Sequence, residues 1–302
     1  MSTPNQPIDV YSIITNRIIE QLELQVIPWR KPWTEGGPPQ NLFNKRPYTG
    51  INTWLLGSLG YAQNYFLTWK QIKAVGASVK KGEKGHLIVF WKKLEINQST
   101  AKTDDQRPKY LLRYYKVFNI AQIDHLPEIL TIPYLAHPVS FIAACDEIIE
   151  RMSNCPQIKH GKQQAYYDVE KDYINMPKQG SFGSVASYYC TVFHELVHST
   201  GHQSRLNRKE IVEPSKYGSE LYSIEELTAE IGACYLNSVA GIVNTEFDNS
   251  VAYIKGWIDK LKSDKRMIIY ASGQAQRAVD YILNVRPGNS EELQELEAVE
   301  TL

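Results

Sequence analysis

Thr191-Val-Phe-His-Glu-Leu-Val-His-Ser-Thr-Gly-His202 contains His194-Glu195-Leu196-Val197-His198, an H-E-x-x-H. Residues four apart on a helix lie on one face, so the two imidazoles converge on a single point. Imidazole nitrogen binds Zn²⁺ at roughly 2.0–2.1 Å, and a catalytic zinc keeps one position open for water. Glu195, directly after the first histidine, is placed to take a proton from that water. The ordinary alternative is a helix that carries two histidines for packing reasons. With 7 histidines in 302 residues, chance produces this pattern in roughly one such chain in a hundred. Val192, Phe193, Leu196 and Val197 supply the apolar stripe of a half-buried helix, which is expected over Ser184 to Gly201.

Two histidines leave a metal site incomplete. Gly201 fits the glycine of the longer H-E-x-x-H-x-x-G-x-x-H pattern, but Ser204 stands where its third histidine belongs. His202 is expected just past the helix end, since glycine favours a left-handed cap; it reads as a rim residue or as a support behind the ligands. A second stretch, Tyr222 to Leu236, offers Glu225, Glu226 and Glu230. Ser223 and Glu226 have capping-box spacing, which would give Glu226 a structural role at a helix start. Against that, Glu226 and Glu230 share a face with small and apolar neighbours, where carboxylates need a partner. The two stretches together resemble the gluzincin-type metallopeptidases, in which H-E-x-x-H is followed by E-x-x-x-D or E-x-x-A-[DN]. Glu226-Leu-Thr-Ala229-Glu230 has that spacing, with Glu in place of the final Asp or Asn. The resemblance implies Glu226 as third ligand and Glu230 as an outer carboxylate orienting a ligand histidine.

The chain is long enough for two domains. No apolar run approaches the roughly 18 residues of a membrane span, and the first residues lack the basic and apolar regions of a signal peptide. Cys145, Cys155, Cys190 and Cys234 form no C-x-x-C pair. A reducing cytoplasm with no disulfide framework and no membrane partner is the expectation. Net charge is zero, yet residues 1–125 hold 17 basic against 9 acidic side chains, and residues 126–302 hold 16 against 24. Such opposed halves suggest two modules with different partners.

Periodicity predicts a helix from Val10 to Ile27 ended by Pro28, and a short helix over Ile51 to Leu59. A strand at Tyr65–Thr68 is followed by a helix from Trp69 to Val75, then strands at Leu87–Lys92 and Tyr110–Phe118. Prolines 127, 133 and 138 mark a linker over 126–138. Beyond it come a helix at Phe141–Met152, a hairpin formed by 165–169 and 172–176, and a helix at Ile224–Ala240. Two further helices are expected near 249–262 and 265–284, then a frayed acidic tail. In the loop 205–222, Tyr217 and Tyr222 are candidates to steady an oxyanion, against the plainer reading as surface tyrosines.

Basic residues interleaved with aromatic rings characterise the first 125 residues: Trp29, Arg30, Lys31 and Trp33; Lys45, Arg46 and Tyr48; Trp69; and Lys80, Lys81 and Lys84. Cations follow phosphates while aromatic faces stack on unpaired bases, so these are candidate contacts to single-stranded DNA. Some of the tryptophans belong to the core instead, with Trp54 and Trp91 open to either reading. The W-R-K-P-W run, the segment Asn41 to Asn52 and Val79-x-K-G-E-K-Gly85 resemble the N-terminal domain of ArdC-type antirestriction proteins. H-E-L-V-H-S-T-G-H followed by E-E-L-x-A-E-I-G-A is similar to the zincin-like domain of the same family, in the same order. This resemblance covers nearly the whole chain. It implies an α+β protein of two domains: a mixed α+β single-stranded-DNA-binding domain (1–125), a linker (126–138) and a zincin-like metallopeptidase domain (139–302). It also implies a role in conjugative plasmid transfer and protection from host restriction. The expected cofactor is Zn²⁺, with Mn²⁺ or Co²⁺ suited to similar ligands, and a host protein is a candidate substrate. The rival readings are a DNA-coating protein whose metal site is structural or idle, and a nuclease using the same metal-activated water.

Overall fold

The computed structural model describes residues 9–30, 38–93, 110–127, 141–213, 218–242 and 251–285. Asp9 caps the first helix, α1 (Val10–Glu23), by accepting from the Tyr11 amide. Ile14, Ile18 and Leu22, spaced by four, form its buried stripe. The helix stops at Glu23, short of Pro28, because Gln25 adopts a φ of 60° and turns the chain left-handed. A 3-10 turn at Pro28–Arg30 follows.

Next in order come β1 (Gln40–Asn41), α2 (Ile51–Gly57), β2 (Tyr65–Thr68), α3 (Trp69–Ala74), β3 (Ser78–Val79), β4 (His86–Lys93), β5 (Tyr110–Asn119) and β6 (Ile123–Asp124). A four-stranded sheet has the order β1-β2-β5-β4, and β3 pairs with β6. β4 and β5 pair antiparallel from His86 opposite Val117 to Lys93 opposite Tyr110. Thr68 and Gln71 form a reciprocal capping box that ends β2 and starts α3. The Asn52 side chain docks α2 on the sheet, accepting from the Val89 amide at 2.8 Å and donating to its carbonyl at 2.7 Å.

The second half holds α4 (Phe141–Arg151), β7 (Gln157–Lys159), β8 (Tyr166–Asp168), β9 (Tyr173–Asn175), α5 (Val185–Thr200), α6 (Lys209–Val212), α7 (Glu220–Ala240), α8 (Val251–Ser263) and α9 (Met267–Ile282). The predicted hairpin is present as β8 and β9, and β7 adds to β9 in parallel, giving the order β7-β9-β8. Sequence reasoning missed β7, where Gln157-Ile158-Lys159 carries a single apolar residue between two polar ones.

One apolar core joins elements from both halves. Ile14, Ile18 and Leu22 of α1, Trp29, Trp54 and the β4–β5 face carrying Val89 and Leu112 share it with Phe193, Leu196, Leu227 and Ile268. Alternation along the strands sends Ile88 and Val117 to the opposite face, against Leu56 and Phe66. Of the expected linker only residues 126 and 127 are described, and the predicted acidic tail lies outside the described residues. Among the described residues no helix is long and apolar enough to cross a membrane, and Cys145, Cys155, Cys190 and Cys234 form no disulfide.

Candidate metal centre

Ser184 starts α5 by accepting from the Ser187 amide at 3.0 Å. Val192, Phe193, Leu196 and Val197 are fully buried and fix the rotation of the helix. That rotation leaves His194 and His198 on a shared edge, rings 4.6 Å apart and nearly perpendicular. Their Nε2 atoms face each other at 3.0 Å. α7 crosses beside α5, and a Cβ on its Gly232 would stand 2.8 Å from Val197 Cγ2, so glycine there permits the close approach. This brings Glu226 to the histidines: Oε2 lies 3.6 Å from His194 Nε2, and Oε1 lies 3.7 Å from His198 Nε2.

Ligand atoms of His194, His198 and Glu226 all fall within 4.8 Å of one another. Three donors at the usual bond lengths of a tetrahedral ion stand roughly 3.3 Å apart, so the donor set fits a divalent metal in spacing and in chemistry. His194 and Glu226 remain about one-third exposed while His198 is 12% exposed, so the cluster is open on one side. Glu195 is buried at 7% exposure, and its charge acts on His198. The Tyr222 hydroxyl, one turn before Glu226, hydrogen-bonds that carboxylate; Tyr217 lies outside the described residues.

Glu225, not Glu230, stands behind a histidine. The His198 Nδ1–H donates to Glu225 Oε1 at 3.0 Å, a network-derived tautomer that turns the Nε2 lone pair toward the cluster. Arg208 holds Glu225 in turn, through Nε to Oε2 at 2.9 Å and Nη2 to Oε1 at 2.6 Å. Its other donors reach Thr200 Oγ1 at 2.6 Å and the Val197 carbonyl at 2.8 Å. Both Arg208 and Glu225 are buried. Burial alone would lower the His198 pKa, but the bonded Glu225 carboxylate with Glu195 and Glu226 nearby raises it to about 9. Burial would raise Glu226, yet His194 and His198 carry it down to about 2. Glu225 is likewise held below the usual carboxylate range: burial opposes this, and the Arg208 guanidinium and His198 override it.

Several sequence expectations are corrected. Glu230, expected behind a histidine of the pair, accepts from Trp29 Nε1 at 2.9 Å through Oε1 and from the Tyr253 hydroxyl through Oε2. One helical turn beyond Glu226, it faces the 3-10 turn and α8 instead. His202, expected at the rim or behind the cluster and not as a ligand, has its Nδ1 2.7 Å from the Ser204 hydroxyl and lies outside the cluster of His194, His198 and Glu226, which leaves that expectation unchanged. Ser223 is no cap, because α7 begins a turn earlier at its cap Ser219. Gly201 has a right-handed φ of −73° rather than a left-handed one. Glycine is required there by crowding: a Cβ would stand 2.5 Å from Ile211 Cγ1. Only the loop that returns through Arg208 creates that crowding.

The DNA candidates divide by exposure. Trp29 is 1% exposed and packs edge-on against Trp257, so it has no face for a base. Tyr48 is half-buried, its ring packed edge-on against Phe66, and burial drives its hydroxyl pKa up. Trp69 is 48% exposed, with the Lys73 ammonium 5.5 Å from its ring centre. Lys45, Arg46, Lys80, Lys81 and Lys84 are exposed. Lys45 stands 5.0 Å over the Tyr65 ring, and nearby Phe43, which sequence reasoning passed over, is 41% exposed. Trp54 is core and Trp91 is 45% exposed. Lys31, Trp33 and the Arg30 side chain lie outside the described residues.

Residues 143–274 match the family model of a zincin-like metallopeptidase, and residues 8–118 match that of the N-terminal domain of anti-restriction factor ArdC. A protein of Escherichia coli called DNA primase TraC is 34% identical over 310 residues, covering 95% of this chain but only 28% of the primase. The uncharacterized protein y4eC of Sinorhizobium fredii is 31% identical over 300 residues, with 93% of each chain covered. Crystal structures of the antirestriction ArdC protein from plasmid R388 superpose on 92% of this chain and 98% of theirs at 36% identity. The TM-score is 0.72 for the metal-free form and 0.71 for the Mn(II)-bound form.

Proposed function

The chain belongs to the ArdC-type antirestriction family, and on that premise we propose that it binds single-stranded DNA through its basic half and carries a zinc-dependent peptidase centre in its zincin-like half. Its setting is conjugative DNA transfer and protection from host restriction, inside the cytoplasm, with a host protein as the peptide substrate. The convergence of His194, His198 and Glu226 on one open-sided cluster, with Glu195 buried beside it, supports the hydrolytic reading. His194 and His198 would hold the ion through Nε2 and Glu226 through its carboxylate. A divalent ion bound there acidifies a water and polarises a scissile carbonyl. Zinc is the assignment; the Mn(II)-bound relative makes manganese the first substitute to test.

Glu195 is the proton carrier in this mechanism: its carboxylate accepts the proton of the attacking water, then returns it to the leaving amine. Glu225 and Arg208 keep His198 in the ligand tautomer and rotation. For the DNA half, Trp69 with Lys73, and Phe43 beside Lys45 and Arg46, are the exposed combinations of ring and cation.

The test is Glu195→Gln in the full chain. Metal content is expected to stay at the wild-type level, with peptide cleavage reduced by about 10²–10⁴-fold; cleavage at the wild-type rate removes the assigned role. The same variant in an antirestriction assay separates the rival reading. Unchanged protection there assigns protection to DNA coating alone.

A further inference from the structure

A cleft of about 490 Å³ opens in the acidic half, between the turn after β7 and the segment after β9. That volume lies within the range of ordinary ligand sites. Its walls carry Lys162, Lys178 and His160 together with the Gln163 amide and the Ser181 hydroxyl, and no carboxylate is among the lining residues. The cleft is built rather than incidental. Asn175, itself 2% exposed, holds the 161–164 turn with four hydrogen bonds. Its Oδ1 accepts from the amides of Gly161 and Lys162, and its Nδ2 donates to the carbonyls of Lys162 and Gln164. His160 Nε2 lies 3.0 Å from the Tyr188 hydroxyl, with the two rings stacked at 16°.

Just outside this lining, Lys162 stands 5.2 Å over the Tyr166 ring, and Lys159 stands 4.3 Å over that of Tyr173. Tyr188 is on α5, six residues before His194, about 9 Å along the helix. We infer that this cleft is a second contact for single-stranded DNA, taking a backbone phosphate between Lys162 and Lys178 and extending the footprint of the basic half onto the zincin-like half. Lysine ammonium groups are point charges suited to phosphate oxygens, and no carboxylate in this lining opposes an anion. Rings beside those cations offer stacking faces for unpaired bases. The inference rests on the proposed DNA binding and does not require peptidase activity.

The test uses the full chain and a labelled oligothymidine, with binding followed by fluorescence anisotropy between about 50 and 200 mM salt. Lys162 and Lys178 are exposed, so Lys162→Ala/Lys178→Ala is expected to fold and to retain its metal. Binding should weaken roughly tenfold, and the slope of log affinity against log salt should shrink by about 0.7, the value for one phosphate contact on a single strand. Lys162→Arg/Lys178→Arg should keep the wild-type slope. If wild type binds and the alanine pair matches it in affinity and slope, this inference is overturned while the DNA reading stands. A wild type that fails to bind the oligonucleotide removes both. Intact DNA binding with loss of cleavage of acidic peptides would give the cleft to a peptide substrate and overturn the DNA assignment.

Discussion

Glu225 and Arg208 show how one histidine is held. The carboxylate accepts from His198 Nδ1, and the guanidinium pins the carboxylate while also taking carbonyls near the end of α5. Removing such support typically costs 10–100-fold in metal affinity. Glu225→Gln is therefore expected to weaken metal binding by about that factor while leaving all three proposed ligands in place, as read by competition with a chelator. Unchanged affinity would deny Glu225 its orienting role. Proton competition is the second consequence. With His198 raised from 6.5 to about 9, the metal-free imidazole is protonated at neutral pH, and metal uptake must displace that proton. Apparent affinity should rise with pH up to about 9, with proton release measurable by calorimetry in two buffers. In the metal-free protein the sign is opposite. The His198 contribution to stability is full below pH 6.5 and is lost as pH rises through about 9. Glu226, depressed from 4.5 to about 2, contributes above 4.5 and is lost as pH falls through about 2.

At the scale of elements, the centre depends on how closely α5 and α7 approach. Gly232 is where they nearly touch, with Val197 2.8 Å from the position of a Cβ. Gly232→Ala gains about 1 kcal/mol of helix propensity but must force the helices apart, at about 1–3 kcal/mol. A lower Tm together with weaker metal binding is expected, because Glu226 moves with α7. Gly256 in α8 meets nothing within 4 Å, so Gly256→Ala should stabilise by about 0.5–1 kcal/mol without changing metal affinity. If both variants behave alike, propensity rather than helix approach governs the pair.

Across the whole molecule, the two halves of the chain are joined by a core and by a polar contact. Trp29 sends its indole N–H to Glu230 of α7, one turn beyond Glu226, and packs on Trp257 of α8. Trp29→Phe keeps most of the apolar body and leaves a buried carboxylate without that donor, at an expected cost of about 1–3 kcal/mol. Because the core is shared, fluorescence and far-ultraviolet circular dichroism should report the same shifted unfolding transition; two separated transitions would mean that the halves melt independently. At the surface, Trp69→Ala should weaken single-stranded DNA binding by about 1–3 kcal/mol with no loss of Tm. Equal affinity for duplex and single strand would argue against stacking by that ring.

Sequence alone determined what spacing controls. H-E-x-x-H puts His194 and His198 on one helical edge because the helix repeats every 3.6 residues, and the short aromatic and apolar runs at 165–169 and 172–176 read as a hairpin. It also supplied Glu226 through a resemblance, and the mixed α+β class. Tertiary structure decided everything that depends on which surfaces meet. Glu225, Glu226 and Glu230 are chemically alike and within two turns of one another, yet one meets His198, one meets both histidines and one meets Trp29 and Tyr253. Helical phase gives each carboxylate a direction but not the neighbour found there. The same limit applies to Trp29 and Trp69: both sit among basic residues in sequence, and only packing against Trp257 buries one while the other stays open to solvent.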